Sequence, residues 1–350
     1  MDEDLWSAVD AIPDEEWVAL RRTLRGRLVD YVRRQSRQFS TDALTIGFAR
    51  RFAQYKRGNL LFRDPDRFRA LLERYPVQLV FAGKAHPRDG VGQGIIADVI
   101  RQSERLGLRD RVVLLQDYDM ALGRLITSGA DVWLNNPRRP HEASGTSGQK
   151  VVLNGGLNLS VLDGWWPEGF DGTNGWAIGA GEEWADEAAQ DAHDAEALYR
   201  LLEDEVLPEW MDRPDGVPRR WIARIRRSVR TCAPKFSSHR MVHDYAEQFY
   251  ALAVGSRSAA AEALGFGFQR RCALGQLLRA QERGAVRCAG PDAAVALAPV
   301  EPQPEDTAPQ AVLASGDPRC APASRRQRAE VRGSRSSGSN TAYSRTPSCS

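Results

Sequence analysis

Four short apolar runs, LTIGFA at 44–49, VQLVFAG at 77–83, RVVLLQ at 111–116 and DVWLN at 131–135, stand apart by stretches long enough to hold one helix each. Their interiors carry no charge and each is too short for a buried helix, so they read as strands covered on both faces. Between them, 58–74, 92–106 and 120–129 show helical patterns. A strand reaches a parallel neighbour only through a crossover, and a helix is the usual crossover. The alternation therefore predicts an α/β fold, a doubly wound parallel sheet of Rossmann-like type with helices on both faces. Such sheets bind ligands at the carboxyl ends of their strands, where loops leave backbone amides and helix N-termini exposed. The chemistry-bearing residues fall there: Arg51 and Lys56 after the first run, Gly83 and Lys84 after the second, Tyr118 after the third, and Glu142 to Lys150 after the fourth.

The composition changes along the chain. All nine tryptophans and all four lysines precede residue 254, while Cys272, Cys288, Cys320 and Cys349 follow it. Three regions are expected: 1–40, an amphipathic helical segment; 41–253, the α/β domain; and 254–350, a low-complexity tail that is disordered apart from a short helix around Phe268 to Glu282. In the first region one helix is predicted from Ile12 to Ser40, with Asp14 as its cap and Trp17, Leu20, Leu24, Leu28, Tyr31 and Val32 as its apolar stripe. The net charge of +2 gives no argument for nucleic acid, and the 13 Arg against 8 acidic residues of the tail read as a solvated appendage. No apolar run approaches the ~20 residues of a membrane span. The acidic start MDEDLW is unlike a signal peptide, and cysteines without CxxC spacing argue against a disulfide framework or a metal site. A cytoplasmic protein with no bound metal is expected.

Lysine is scarce: 44 of the 48 basic residues are arginine, which leaves Lys56, Lys84, Lys150 and Lys235. A guanidinium cannot form an imine, whereas an amine can lose its proton and attack a carbonyl. Lys150 lies in PHEASGTSGQKVVLNGG, where Ala143, Ser144, Gly145, Thr146, Ser147 and Gly148 allow close backbone approach and a helix begins near Gly148. Free amides at a helix start favour an anion, most naturally a phosphate. A phosphate cradle with an adjacent amine suits a phosphorylated aldehyde such as pyridoxal 5'-phosphate. In FARRFAQYKRGNLLF, Arg51 and Lys56 gain a ligand role from their place after a strand, whereas Arg50 and Arg57 read equally well as a solvated basic face. Lys84 in AGKAHP is available to a second anion or a sugar hydroxyl, while His86 reads as polar surface. Trp165, Trp166 and Trp176, with Asp163 and Glu168, either neighbour a sugar or pack a core; the second is the commoner use of tryptophan pairs.

Together, YKR after the first strand, AGKAHP, the tyrosine after the third strand and EASGTSG-K-LNG resemble the α-glucan phosphorylases, pyridoxal-phosphate enzymes of the glycogen phosphorylase family. The likeness is greatest to a shorter bacterial type and covers roughly Trp17 to Leu252, ending in KFSSHRMVHDYAEQFY. It implies phosphorolysis of an α-1,4-glucan to glucose 1-phosphate by orthophosphate, with Lys150 holding the cofactor. It further implies that Thr146, Ser147 and Gly148 cradle the cofactor phosphate, with Tyr118 beside it. Arg51 and Lys56 would gather the two phosphates, and Glu142 with the backbone of Ala143, Ser144 and Gly145 would grip the glucosyl hydroxyls. Gln149 departs from the family's usual methionine. Family members are two facing α/β domains of GT-B type, so the expectation is a fragment supplying the second, cofactor-bearing domain. The absent first domain would be a partner if encoded separately, and a homo-oligomer is compatible. A nucleotide-sugar glycosyltransferase of the same architecture and a non-catalytic remnant stay open, although the former has no need of an amine at Lys150.

Overall fold

Strands β1 (Leu44–Ala49), β2 (Val77–Ala82), β3 (Val112–Leu115), β4 (Val132–Asn135), β5 (Leu157–Val161) and β6 (Gly175–Ile178) form one sheet in the order β3-β2-β1-β4-β5-β6. Every pairing is parallel. The architecture comes from a computed structural model that describes residues 6–36, 38–251 and 253. All of these belong to the first of the chain's two units, Met1–Gln269; the second, Arg270–Ser350, and with it the expected tail and its short helix, lies outside the described residues. β1, β2 and β4 are buried along their whole length, which is why their sequences run largely apolar without alternation, whereas β5 is equally buried although Asn158 and Ser160 interrupt its apolar residues. The chain builds outward from β1 in one direction and from β4 in the other, so their shared carboxyl end is the topological switch point.

Ten helices flank this sheet among the described residues: α1 (Asp14–Val32), α2 (Pro65–Arg74), α3 (Gly90–Arg105), α4 (Met120–Gly129), α5 (Ser147–Val152), α6 (Trp166–Gly169), α7 (Glu187–Leu201), α8 (Leu207–Met211), α9 (Arg219–Cys232) and α10 (Ser238–Tyr245). Four start on an aspartate: Asp64, Asp89, Asp119 and Asp186 each accept a first-turn N–H. On one face of the sheet, Leu28, Val29 and Val32 of α1 join Leu122 and Ile126 of α4 and Val151 of α5 against Ala49, Val80 and Trp133. Gly47 makes this close packing possible, because a Cβ there would lie 2.8 Å from that of Ala130. The other face is covered by a larger cluster that includes Phe68, Val99, Leu198 and Ile225.

Several local expectations are corrected. The helix foreseen over 58–74 begins only at Pro65, after separate turns at Gln54–Lys56 and Leu60–Phe62. Proline lacks an N–H and disfavours helical geometry in the preceding residue, so it starts this helix rather than sitting inside it. The first helix ends at Val32 instead of Ser40, and Asp14 does not cap it. Asp14 instead pairs with Arg226 at 2.6 Å and Arg219 at 3.1 Å on α9. Leu20 of the foreseen stripe is exposed, while Arg21 and Arg25 are buried. Trp165, Trp166 and Trp176 are all core residues, Trp165 and Trp166 meeting edge to face at 5.0 Å, so the tryptophan loop serves packing. No helix among the described residues is long and apolar enough to cross a membrane.

Candidate functional site

The loops leaving β1 and β2 remain zipped beyond the strands: Arg50 N–H donates to the Ala82 carbonyl at 3.1 Å and Phe52 N–H to that of Lys84 at 3.0 Å. Gly83 permits this approach. Its φ is +143°, and a Cβ would lie 1.9 Å from the Arg50 carbonyl oxygen. The Arg50 side chain is buried, donates through Nη1 to Asn135 Oδ1 at the end of β4, and has that nitrogen 3.9 Å from Glu142 Oε2. Its Nε and Nη2 are buried without a partner among the described residues. Burial pushes its pKa down to about 10, against the opposing pull of Glu142. Lys56, in the turn Gln54–Lys56, donates from Nζ to Glu142 Oε2 and sits 4.9 Å from the centre of the Tyr55 ring. Two cations from the β1 exit thus close on one carboxylate from the β4 exit.

The backbone between these groups is clamped. Arg57, with φ +50°, donates to the carbonyls of Asn136 at 2.8 Å and Pro137 at 2.9 Å, and its own carbonyl accepts from Asn136 Nδ2 at 2.9 Å. Its remaining donors reach Asp191 at 3.0 Å and Asp194 at 2.7 Å on α7. Arg138 donates its N–H to the Tyr55 carbonyl at 2.6 Å and pairs with Asp191 at 2.8 Å. From the other side, Glu142 N–H donates to Asp163 Oδ2 at 2.8 Å and Trp165 N–H to the Ser144 carbonyl at 2.9 Å. A Cβ on Gly164 would stand 2.4 Å from that same carbonyl. With its inner side held, the turn leaves Ala143, Ser144 and Thr146 exposed.

α5 follows directly. Ser147 Oγ accepts from Trp133 Nε1 at 3.2 Å, leaving its own proton free to donate. Gly148 is buried, and a Cβ there would lie 2.4 Å from Asn158 Oδ1 and 3.1 Å from the Trp165 ring, so packing alone requires glycine. Lys150 is exposed, and its amine has no partner among the described residues. Tyr118 has its phenol pKa raised by burial, with Arg50 pulling it back, which puts the ring in electrostatic reach of that guanidinium. Arg51 and Lys84 are exposed at the same sheet edge, and their side chains too lack partners among the described residues.

Of the residues the sequence singles out, Lys56 and Glu142 meet directly, while Tyr118 lies only within electrostatic range of Arg50. Arg51, Lys84 and Lys150 remain at the rim. The reading of Arg50 and Arg57 as a solvated basic face does not hold, since both are buried. Strand parity was the available signal for Arg50: it continues the Ile46, Phe48 face of β1, whereas Arg51 continues the face of Gly47 and Ala49.

The carbohydrate phosphorylase family model matches residues 6–168. The chain is 44% identical over 281 residues to a glycogen phosphorylase of Mycobacterium tuberculosis, an alignment covering 74% of this chain and 33% of that protein. Over residues 6–168 the chain is similar to the carbohydrate phosphorylases. A maltodextrin phosphorylase of Thermococcus litoralis is 41% identical over 270 residues, covering 73% of this chain and 32% of its own. A glycogen phosphorylase of Aquifex aeolicus is 39% identical over 269 residues, with shares of 71% and 38%. The chain therefore spans about a third of the length of the curated phosphorylases it matches.

Proposed function

We propose that this chain is the cofactor- and phosphate-bearing part of an α-1,4-glucan phosphorylase, a glycosyltransferase that uses orthophosphate to release glucose 1-phosphate from glycogen or maltodextrin. The supporting observation is the meeting of Arg50, Lys56 and Glu142 at the switch point, followed by a helix whose Lys150 amine is unengaged among the described residues. The residues present fit pyridoxal 5'-phosphate: a free amine, small exposed residues at 143, 144 and 146, and a buried guanidinium with two unpartnered nitrogens. Lys150 would hold the cofactor covalently, Thr146, Ser147 and Gly148 would cradle its phosphate, and Tyr118 would lie beside it. When bound, the cofactor supplies a phosphate that exchanges a proton with the substrate orthophosphate.

The protein's own part is electrostatic and positional. Two phosphates cannot approach without neutralisation, and Arg51, Lys56 and, as a member the sequence did not single out, Arg50 bring that positive charge. Glu142 and the backbone of Ala143, Ser144 and Gly145 grip the glucosyl hydroxyls, with Lys84 available to a further hydroxyl or anion. Fixing orthophosphate against the sugar then removes much of the entropic part of the barrier. The rest of a GT-B type cleft closes over these groups and excludes water.

The cofactor assignment is tested without turnover. After incubation with pyridoxal phosphate and borohydride reduction, peptide mapping is expected to find one pyridoxyl adduct among the four lysines, at Lys150, and none in Lys150→Arg. An adduct that persists in the variant, or spreads evenly over Lys84 and Lys235, overturns the assignment and favours a glycosyltransferase that has no use for the amine.

A further inference from the structure

The contact between Lys56 and Glu142 sets two roles of the proposed site against each other. Glu142 is assigned the neutral hydroxyls of a sugar, yet its Oε2 lies against Lys56 Nζ and 3.9 Å from Arg50 Nη1. The three side chains are only 12%, 8% and 8% exposed for Lys56, Arg50 and Glu142, so water screens this contact weakly. The same cations are the ones a phosphate needs. We propose that Glu142 is the internal counter-ion of this anion seat, and that an incoming phosphate-class anion displaces it and so releases its carboxylate to the sugar. The inference rests on the reading of Arg50 and Lys56 as phosphate-gathering groups.

Two features of the site and the charge of the ligand carry it. The carboxylate satisfies the seat incompletely, because Arg50 Nε and Nη2 stay buried without acceptors. A tetrahedral dianion carries more charge and more acceptor oxygens than the single carboxylate oxygen engaged there, so it can meet Lys56 and the orphaned guanidinium nitrogens together. Displacement needs little rearrangement, since the Glu142 backbone is pinned independently by its N–H to Asp163 Oδ2 at 2.8 Å and by the Ser144 carbonyl that accepts from Trp165. Only the side chain has to rotate. The exchange couples the two ligands, since arrival of the anion frees the sugar grip, and it keeps Arg50 and Lys56 paired while no ligand is bound.

The test is orthophosphate binding to the purified full chain, followed by titration calorimetry. Glu142→Gln removes the competing charge and keeps the shape, so it is expected to bind orthophosphate at least ~10-fold more tightly than wild type. Glu142→Ala is expected to show the same direction, which guards against a local effect of the amide. Adding Lys56→Ala to Glu142→Gln should abolish the gain. Affinity unchanged or weakened in both Glu142 variants, with Lys56→Ala still costing affinity, overturns the counter-ion role and leaves the seat standing. Binding indifferent to both Lys56 and Arg50 in every background overturns the seat and the displacement together.

Discussion

Asp131→Ala is expected to lower the unfolding free energy by about 3–5 kcal/mol, the range for removing one partner from a buried ion pair. Asp131 is 1% exposed at the entry to β4 and accepts from Arg25 Nη1 at 2.7 Å, Arg21 Nη2 at 3.2 Å and the Thr45 N–H at 3.0 Å. Without it two buried guanidinium groups face each other with no anion. Burial already lowers the Arg21 pKa, and Asp131 is the charge that opposes it. Arg21 keeps its bonds to the carbonyls of Ser128, Ala130 and Asn154, at 2.7, 2.6 and 2.7 Å, which holds the loss within that range. The check is a shift in denaturation midpoint at unchanged slope; a loss below about 1 kcal/mol would contradict the account.

The second large effect is expected at Arg57→Ala, again about 3–5 kcal/mol, because Asp194 would remain buried without its cation. This variant also carries a pH signature through Asp191. Burial raises the Asp191 pKa, but the bonds from Arg138 and Arg57 outweigh it and hold the group below the ordinary carboxylate value. A depressed folded-state pKa stabilises above the unfolded value, about 3.9, and that contribution fades as pH falls through the lowered one. Losing Arg57 weakens the depression, so the gap between wild type and variant should be wide at pH 7 and narrow at pH 3. Equal gaps at both would show that Asp191 draws its stabilisation from elsewhere. Since Arg57 also ties the Lys56 turn to the loop before Glu142, orthophosphate affinity should fall with stability.

What the sequence reveals and what it hides divide along physical lines. β1, β2 and β4 were legible because fully buried parallel strands are nearly continuous apolar runs, and β3, with one half-buried position, keeps the same pattern. β5 and β6 escaped, since LNLSV mixes polar residues into a buried strand and GWAI is short and begins with glycine. Of the candidate site, Lys56 and Glu142 were legible within motifs at strand exits, whereas the burial of Arg50 was not. Arg57 was not, because its meaning depends on Asp191 and Asp194, more than a hundred positions away. Arg21 and Arg25 gave no signal for the same reason: on a helical wheel they interrupt an apolar stripe, and only Asp131 explains their burial. Glycines show the converse ambiguity. Gly148 fits a phosphate cradle in sequence, yet Asn158 and Trp165 demand it for packing whatever binds above.

The central claim is that this chain's residues can run the phosphorylase reaction once the remainder of the cleft is present. A chimera in which this chain replaces the matching third of the Mycobacterium tuberculosis relative provides that remainder. The measurement is glucose 1-phosphate release from maltodextrin and orthophosphate, with pyridoxal phosphate supplied. The account predicts sustained release by the chimera and a loss of at least ~10³-fold in its Lys150→Arg form, an effect of about 4 kcal/mol on the barrier. A folded, cofactor-loaded chimera without turnover, or one indifferent to Lys150→Arg, would contradict it.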